Sequence, residues 1–145
     1  LFRSFQARAL FETNFYDSIR FFRASGIGLT PSGDDFIAGV LYGIDCLQTI
    51  LKQNVTEIKQ KVFEISRTTN VFSANMLRLA FHARYFKRLK DVLHSLFYVS
   101  SQIEQIQLKT LFSVGETSGA DLLCGFFTLL LNVPDVFKTN YIKHD

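Results

Sequence analysis

Two turns of nearly the same sequence, each leading into an apolar run, constrain this chain more than any other feature. Residues 28–39 read Gly-Leu-Thr-Pro-Ser-Gly-Asp-Asp-Phe-Ile-Ala-Gly, and residues 115–125 read Gly-Glu-Thr-Ser-Gly-Ala-Asp-Leu-Leu-Cys-Gly. With the proline deleted, both run Gly-x-Thr-Ser-Gly-x-Asp, then two large apolar residues, a small one and glycine. A match of this length within one chain implies a pseudo-symmetric pair of helix-turn-helix units.

The rest of the chain supports that architecture. Phe11, Phe15, Ile19 and Phe22 recur at i, i+4, i+8 and i+11, which predicts a helix over residues 4–24. Gly26 and Gly28 end it. Further helices are predicted over 34–53, 57–67 with Thr56 as N-cap, 72–83, 86–99, 102–114 and 121–131. Leu89, Leu93, Leu96 and Phe97 share a face of the fifth. No segment alternates with period two. The expected fold is all-α, about seven helices in a single domain over residues 1–145, with the two Gly-Ser/Thr turns at helix N-termini. Only 2 prolines interrupt it, and 16 phenylalanines favour a dry core or subunit contacts. The start at Leu1, already in helix-like sequence, reads as the C-terminal part of a longer chain.

Composition excludes several classes. Hydrophobic residues at 48% against 20% charged rule out a disordered chain. The net charge of +3 is too mild to imply a nucleic-acid partner. The apolar stretch 36–51 carries Asp45 and Gln48, and 122–133 is too short to span a bilayer. With no signal peptide at the start, a soluble cytoplasmic protein with no membrane partner is expected. The basic run 84–90 reads as a solvated helix face. Cys46 and Cys124 read as buried thiols, His82 as a core or interface histidine, and His94 lacks any metal-ligand spacing. Asp45, alone in an apolar helix, must face a partner, water or a site.

The two turns admit two readings. In the first, Ser32 with Asp35, and Ser118 with Asp121, are capping boxes, which explains serine and aspartate without a ligand. That leaves Thr30, Thr117, and the glycines Gly33 and Gly119 unexplained, since a helix former serves better directly after a cap. In the second reading, glycine admits close approach and the free amides of the helix N-terminus bind an anion. Asp34 and Asp35 would oppose it, because two unit charges about 4 Å apart repel by about 4 kcal/mol at an effective dielectric near 20. The conflict is relieved if Asp35 turns inward, if a divalent cation such as Mg²⁺ bridges carboxylate and ligand, or if the ligand brings N–H or O–H donors. The sequence does not choose among these. Asp34, placed between cap and core, has no structural duty visible in the sequence and reads as an exposed ligand-binding carboxylate.

Residues 28–39 resemble the signature of a bacterial family, formerly a domain of unknown function, that includes the AllH-type subunit of oxamate carbamoyltransferase. The turn 115–121 and the stretch Arg67-Thr68-Thr69-x-x-x-Ser73-x-x-x-Leu77 extend the resemblance. It implies a role in purine degradation and allantoin catabolism, in which phosphate cleaves oxalurate to oxamate and carbamoyl phosphate in a complex with partner subunits. The resemblance and the residues together give these expectations: Gly28, Thr30, Ser32, Gly33, Thr68, Ser73, Gly115, Thr117, Ser118 and Gly119 hold a small anionic metabolite (carbamoyl phosphate, oxalurate, oxamate or phosphate). Asp34, Asp35 and Asp121 orient its amide or a metal. No cofactor follows with certainty from the sequence, and Mg²⁺ is the candidate ion. The alternative is a non-catalytic metabolite-binding or oligomeric scaffold whose turns are only caps.

Overall fold

The computed structural model describes residues 9, 11–98, 109–111, 113 and 118–138, and among the described residues there is no strand. In chain order the helices are α1 (Phe15–Phe22), α2 (Ser32–Leu51), α3 (Thr56–Ile65), α4 (Val71–Phe81), α5 (Lys87–Tyr98), α6 (Ser118–Leu131) and α7 (Asp135–Lys138). Residues 11–13 and 109–111 are also helical, so the expected count of about seven is not reproduced as such.

The periodicity at the start of the chain survives folding: Phe11, Phe15, Ile19 and Phe22 are all buried. The expected single helix over 4–24 is instead broken at Asn14, whose backbone (φ −120°, ψ 51°) leaves the helical region before α1 begins. After Arg23 the chain reverses through Ala24, Gly26 and Gly28, all at positive φ. The reversal returns the chain against α1, where a Cβ on Gly33 would lie 1.8 Å from the carbonyl oxygen of Phe22.

Helix α2 is the centre of the molecule. Every residue from Gly33 to Ile44 is buried, as expected of a helix apolar all round. It packs chiefly against α6 and then α4. The contact with α6 is made backbone to backbone. A Cβ on Gly39 would fall 1.9 Å from the carbonyl oxygen of Leu122, and one on Gly125 would fall 1.9 Å from that of Phe36. Gly39 and Gly125 occupy equivalent places in the repeat, as do Phe36 and Leu122, so the contact is reciprocal. Gly43 continues it against Phe126 and Leu129. The helices therefore run parallel, and both N-termini lie at one end of the pair.

Several boundaries move from their expected places. Helix α2 starts at Ser32 with Pro31 as its N-cap and no side-chain cap. The capping box built on Ser32 is therefore absent: Ser32 is already helical, and Asp35 turns to Thr30 instead. Helix α6 likewise starts at Ser118, three residues before the expected Asp121. Thr56 is the first residue of α3, and Asn54 Oδ1 accepts its N–H at 3.0 Å. Of the helix expected over 102–114, residues 109–111 are helical and most of the remainder lies outside the described residues.

Other expectations are corrected by exposure. Cys124 is exposed and Cys46 half-buried, so neither is the buried thiol expected; Cys46 shares the face of Gly39 and Gly43 and borders a cavity with Phe126. His82 is exposed at the end of α4, where it closes the helix rather than packing in a core. Asp45 meets Lys59 of α3 in an ion pair. The basic run contributes an exposed Lys87–Asp91 pair at 2.8 Å, in keeping with a solvated face. Among the described residues no helix is long and apolar enough to cross a membrane.

Candidate ligand site at the paired helix N-termini

The parallel packing of α2 and α6 brings the first turn to the start of the second copy. Thr30, held in the turn before Pro31, donates its hydroxyl to Asp35 Oδ2 at 3.1 Å, and its Oγ1 lies 3.2 Å from Ser118 Oγ. Both hydroxyls are half-buried, while Asp35 is 1% exposed. Burial pushes the Asp35 carboxyl up to about 6. The Ser118 and Thr30 hydroxyls pull it down, and the charges of Asp121 and Asp34 raise it further.

Asp34 is fully buried, which overturns its reading as an exposed ligand-binding carboxylate. Its Oδ1 accepts the backbone N–H of Ala24 at 2.9 Å. Ala24 is a non-glycine residue at φ 57°, so the carboxylate fastens a strained reversal to the first turn of α2. That is a structural duty.

The glycines after each expected cap also have a structural reason. Gly33 sits under the carbonyl of Phe22, and a Cβ on Gly119 would lie 2.4 Å from that of Leu111. What approaches these glycines is the end of the preceding helix. Ser32 packs beside Gly26 rather than beside Thr30, and Gly28 serves the reversal through its φ of 117°. Gly115 and Thr117 lie outside the described residues.

The intervening stretch reaches the same place through a residue the sequence reading passed over. Asn70 caps α4, accepting from the N–H groups of Phe72 and Ser73 at 3.0 Å each. Its Nδ2 donates to the carbonyl of Leu29 at 2.9 Å, which ties α4 to the first turn. Thr68 Oγ1 accepts the N–H of Asn70 at 3.2 Å, so Thr68 supports this tie. An Asn directly before an apolar helical run is an N-cap signal, and it was legible.

Four polar atoms on these elements are buried without a partner: Asp34 Oδ2, Asp35 Oδ1, Asp121 Oδ2 and Ser73 Oγ. Three are carboxylate oxygens, which accept but do not donate when ionised. Among the described residues no group of three or more His, Cys, Asp or Glu is placed to hold a metal ion. The chemistry offered is therefore a set of acceptors needing donors; at the start of α2 the N–H groups of Gly33, Asp34 and Asp35 already donate to the carbonyls of Ser25 and Pro31, which corrects the reading of free helix-N-terminal amides there.

A separate cavity of about 640 Å³ opens at the far end of α2, among Asp45, Cys46, Tyr85, Leu93, Phe97 and Phe126. No motif in the sequence marked it.

A family model described as oxamate carbamoyltransferase subunit AllH matches residues 24–130, a span that includes both turns and the stretch between them. Among curated proteins and solved structures nothing matches the chain. The match covers well over half of the sequence, and the chain belongs to the AllH family of oxamate carbamoyltransferase subunits.

Proposed function

We propose that this chain is a subunit of an oxamate carbamoyltransferase-like enzyme that works in the cytoplasm with partner subunits, in purine and allantoin catabolism. The reaction is the cleavage of oxalurate by phosphate to oxamate and carbamoyl phosphate. The site is the junction of the α2 and α6 N-termini, where Thr30, Asp35, Ser118 and Asp121 meet a small metabolite that has an anionic end and an amide end.

One observation carries this reading: buried carboxylate oxygens without donors stand beside the half-buried hydroxyls of Thr30 and Ser118. A ligand that is only an anion opposes the carboxylates. A ureido or carbamoyl compound supplies what they lack, its N–H groups donating to carboxylate oxygens and its carboxylate or phosphate accepting from the Ser118 hydroxyl. Thermal melting of the protein with carbamoyl phosphate, oxamate, phosphate or Mg²⁺ tests it. A ligand at about 100 times its Kd stabilises the folded state by about 2.7 kcal/mol. Carbamoyl phosphate or oxamate is expected to raise Tm more than phosphate alone, and no shift with any of them refutes the reading.

The non-catalytic scaffold is the second reading. It is favoured by Asp34, Gly33 and Gly119, whose identities packing alone accounts for. Exposed Ile27, Leu29, Val71 and Phe72 beside the first turn suit a covered face as well as an active site.

A further inference from the structure

Two hydroxyls act on the Asp35 carboxyl, and the fold holds them in different ways. Ser118 opens α6, whose place beside α2 is set by the reciprocal seating of Gly39 and Gly125. Thr30, which donates to Oδ2 at 3.1 Å, lies instead on the turn before Pro31. Among the described residues, the backbone groups of Gly26 to Thr30 make one hydrogen bond. In it the Leu29 carbonyl accepts from Asn70 Nδ2 at 2.9 Å. The side chains of Ile27 and Leu29 are exposed, so packing adds little to this hold.

We infer that Asn70 is a positioning residue of the candidate site: by holding the Leu29 carbonyl from α4, it sets where Thr30 delivers its hydroxyl to Asp35 and to a bound carbamoyl compound. This rests on the reading of the α2–α6 junction as the ligand site, and it adds a residue of a third helix.

The Leu29 oxygen and the Thr30 Cα belong to one planar peptide unit. Fixing that oxygen fixes the plane from which the Thr30 side chain departs.

The choice of asparagine points the same way. As the N-cap of α4, Asn70 Oδ1 accepts from the N–H groups of Phe72 and Ser73 at 3.0 Å each. Serine and aspartate cap a helix about as well. Neither performs both tasks, because an ionised carboxylate has no hydrogen to give and the serine hydroxyl is one bond shorter. The amide carries acceptor and donor on one planar group, so the cap fixes the amide and the amide fixes the turn. Turned over, it would set N–H against N–H at the cap and oxygen against oxygen at Leu29. Thr68 Oγ1 accepts the N–H of Asn70 at 3.2 Å and steadies the backbone from which the amide projects.

The charges acting on Asp35 are those of Asp121 on α6 and Asp34 on α2, and neither lies on the turn. The Thr30 hydrogen bond lowers the Asp35 carboxyl from where burial would put it. Displacement of Thr30 is therefore readable as a rise in the Asp35 midpoint.

Asn70→Ser keeps the cap and removes the tie. The full-length protein, assembled with its partner subunits, is compared with this variant in two ways. The carboxyl carbon resonance of Asp35, assigned by its absence in Asp35→Asn, is followed from pH 4 to 9, and carbamoyl phosphate affinity is measured calorimetrically. The expected result is unchanged helical content, an Asp35 midpoint raised by about one unit, and affinity lowered about tenfold. If circular dichroism shows that Asn70→Ser does not fold, Asn70→Thr, also a neutral cap too short for Leu29, is read in its place. Failure of both to fold makes Asn70 a structural cap and overturns the inference. An unmoved midpoint in the folded variant overturns it too, as does a raised midpoint with unchanged affinity, and either leaves the site reading standing. If the unmutated protein binds neither carbamoyl phosphate nor oxamate, the site reading itself falls and takes the inference with it, whatever the midpoint does.

Discussion

Helix α2 carries a buried carboxylate, Asp35, near one end and a half-buried one, Asp45, near the other, and the two have been treated differently by the fold. Asp45, toward the C-terminal end, is paired with Lys59 of α3, whose ammonium also lies 5.6 Å from the centre of the Phe81 ring. Burial raises the Asp45 carboxyl above its ordinary range and Lys59 pulls it back. Asp35, ten residues earlier, is more deeply buried and has two hydroxyls and two further carboxylates as its surroundings. Each keeps one buried oxygen without a partner, but Asp45 has a cation and Asp35 has only hydroxyls. A buried carboxylate with no compensating charge carries an energetic cost, and such costs concentrate at functional positions.

Removing the cation from the paired end is expected to have the largest effect. Lys59→Met should destabilise the protein by about 3 kcal/mol at pH 7, because it strands Asp45 with an uncompensated charge. Denaturant unfolding measures this, and the loss should shrink as pH is lowered, because burial favours the protonated Asp45 once Lys59 is gone. A neutral result would mean that the ion pair is not what distinguishes the two ends.

Asp35→Asn should act with the opposite sign. The folded-state pKa of Asp35 is raised to about 6, above its unfolded value of 3.8. The folded state therefore binds more protons than the unfolded state between those values, and stability falls as pH rises from 4 to 6. The penalty is then complete, on the order of 2–3 kcal/mol. Unfolding free energies of the wild type should show that decline, and those of Asp35→Asn should lack it and exceed the wild type at pH 7. A variant less stable than the wild type at pH 7 would place Asp35 with Asp45 as a structural carboxylate.

Asp34→Ala should cost about 1–2 kcal/mol, through the lost acceptor for the buried N–H of Ala24. Thermal melting should register this loss. It sharpens the contrast by showing that adjacent carboxylates on α2 have separate tasks.

The sequence disclosed what depends on periodicity and on local pattern. The Phe11–Phe22 stripe, the long apolar α2 and its apolar counterpart α6 follow from spacing, and spacing is visible in one dimension. The meaning of individual small and polar residues was hidden, because it depends on which distant atom comes close. Gly33 looked like an opening for a ligand and proved to be the seat of the Phe22 carbonyl. Asp34 and Asp35 are indistinguishable as neighbours in sequence. On the first turn of a helix, consecutive side chains diverge by about 100°, and one turned to Ala24 while the other turned to Thr30. Cys124 looked buried from its apolar neighbours, yet it lies on the outer face of α6.

The reciprocal seating of Gly39 and Gly125 has a mechanical consequence. Helices that meet through large side chains can slide or spread by exchanging rotamers, so the gap between their ends is adjustable. Here peptide groups bear directly on peptide groups, and the spacing of α2 and α6 is fixed by van der Waals contact between backbones that have no rotamers to exchange. The two helices behave as one stiff strut. A partner protein pressing on either can tilt the strut but not open it, so the distance between Asp35 and Ser118 is insulated from load applied elsewhere on the molecule.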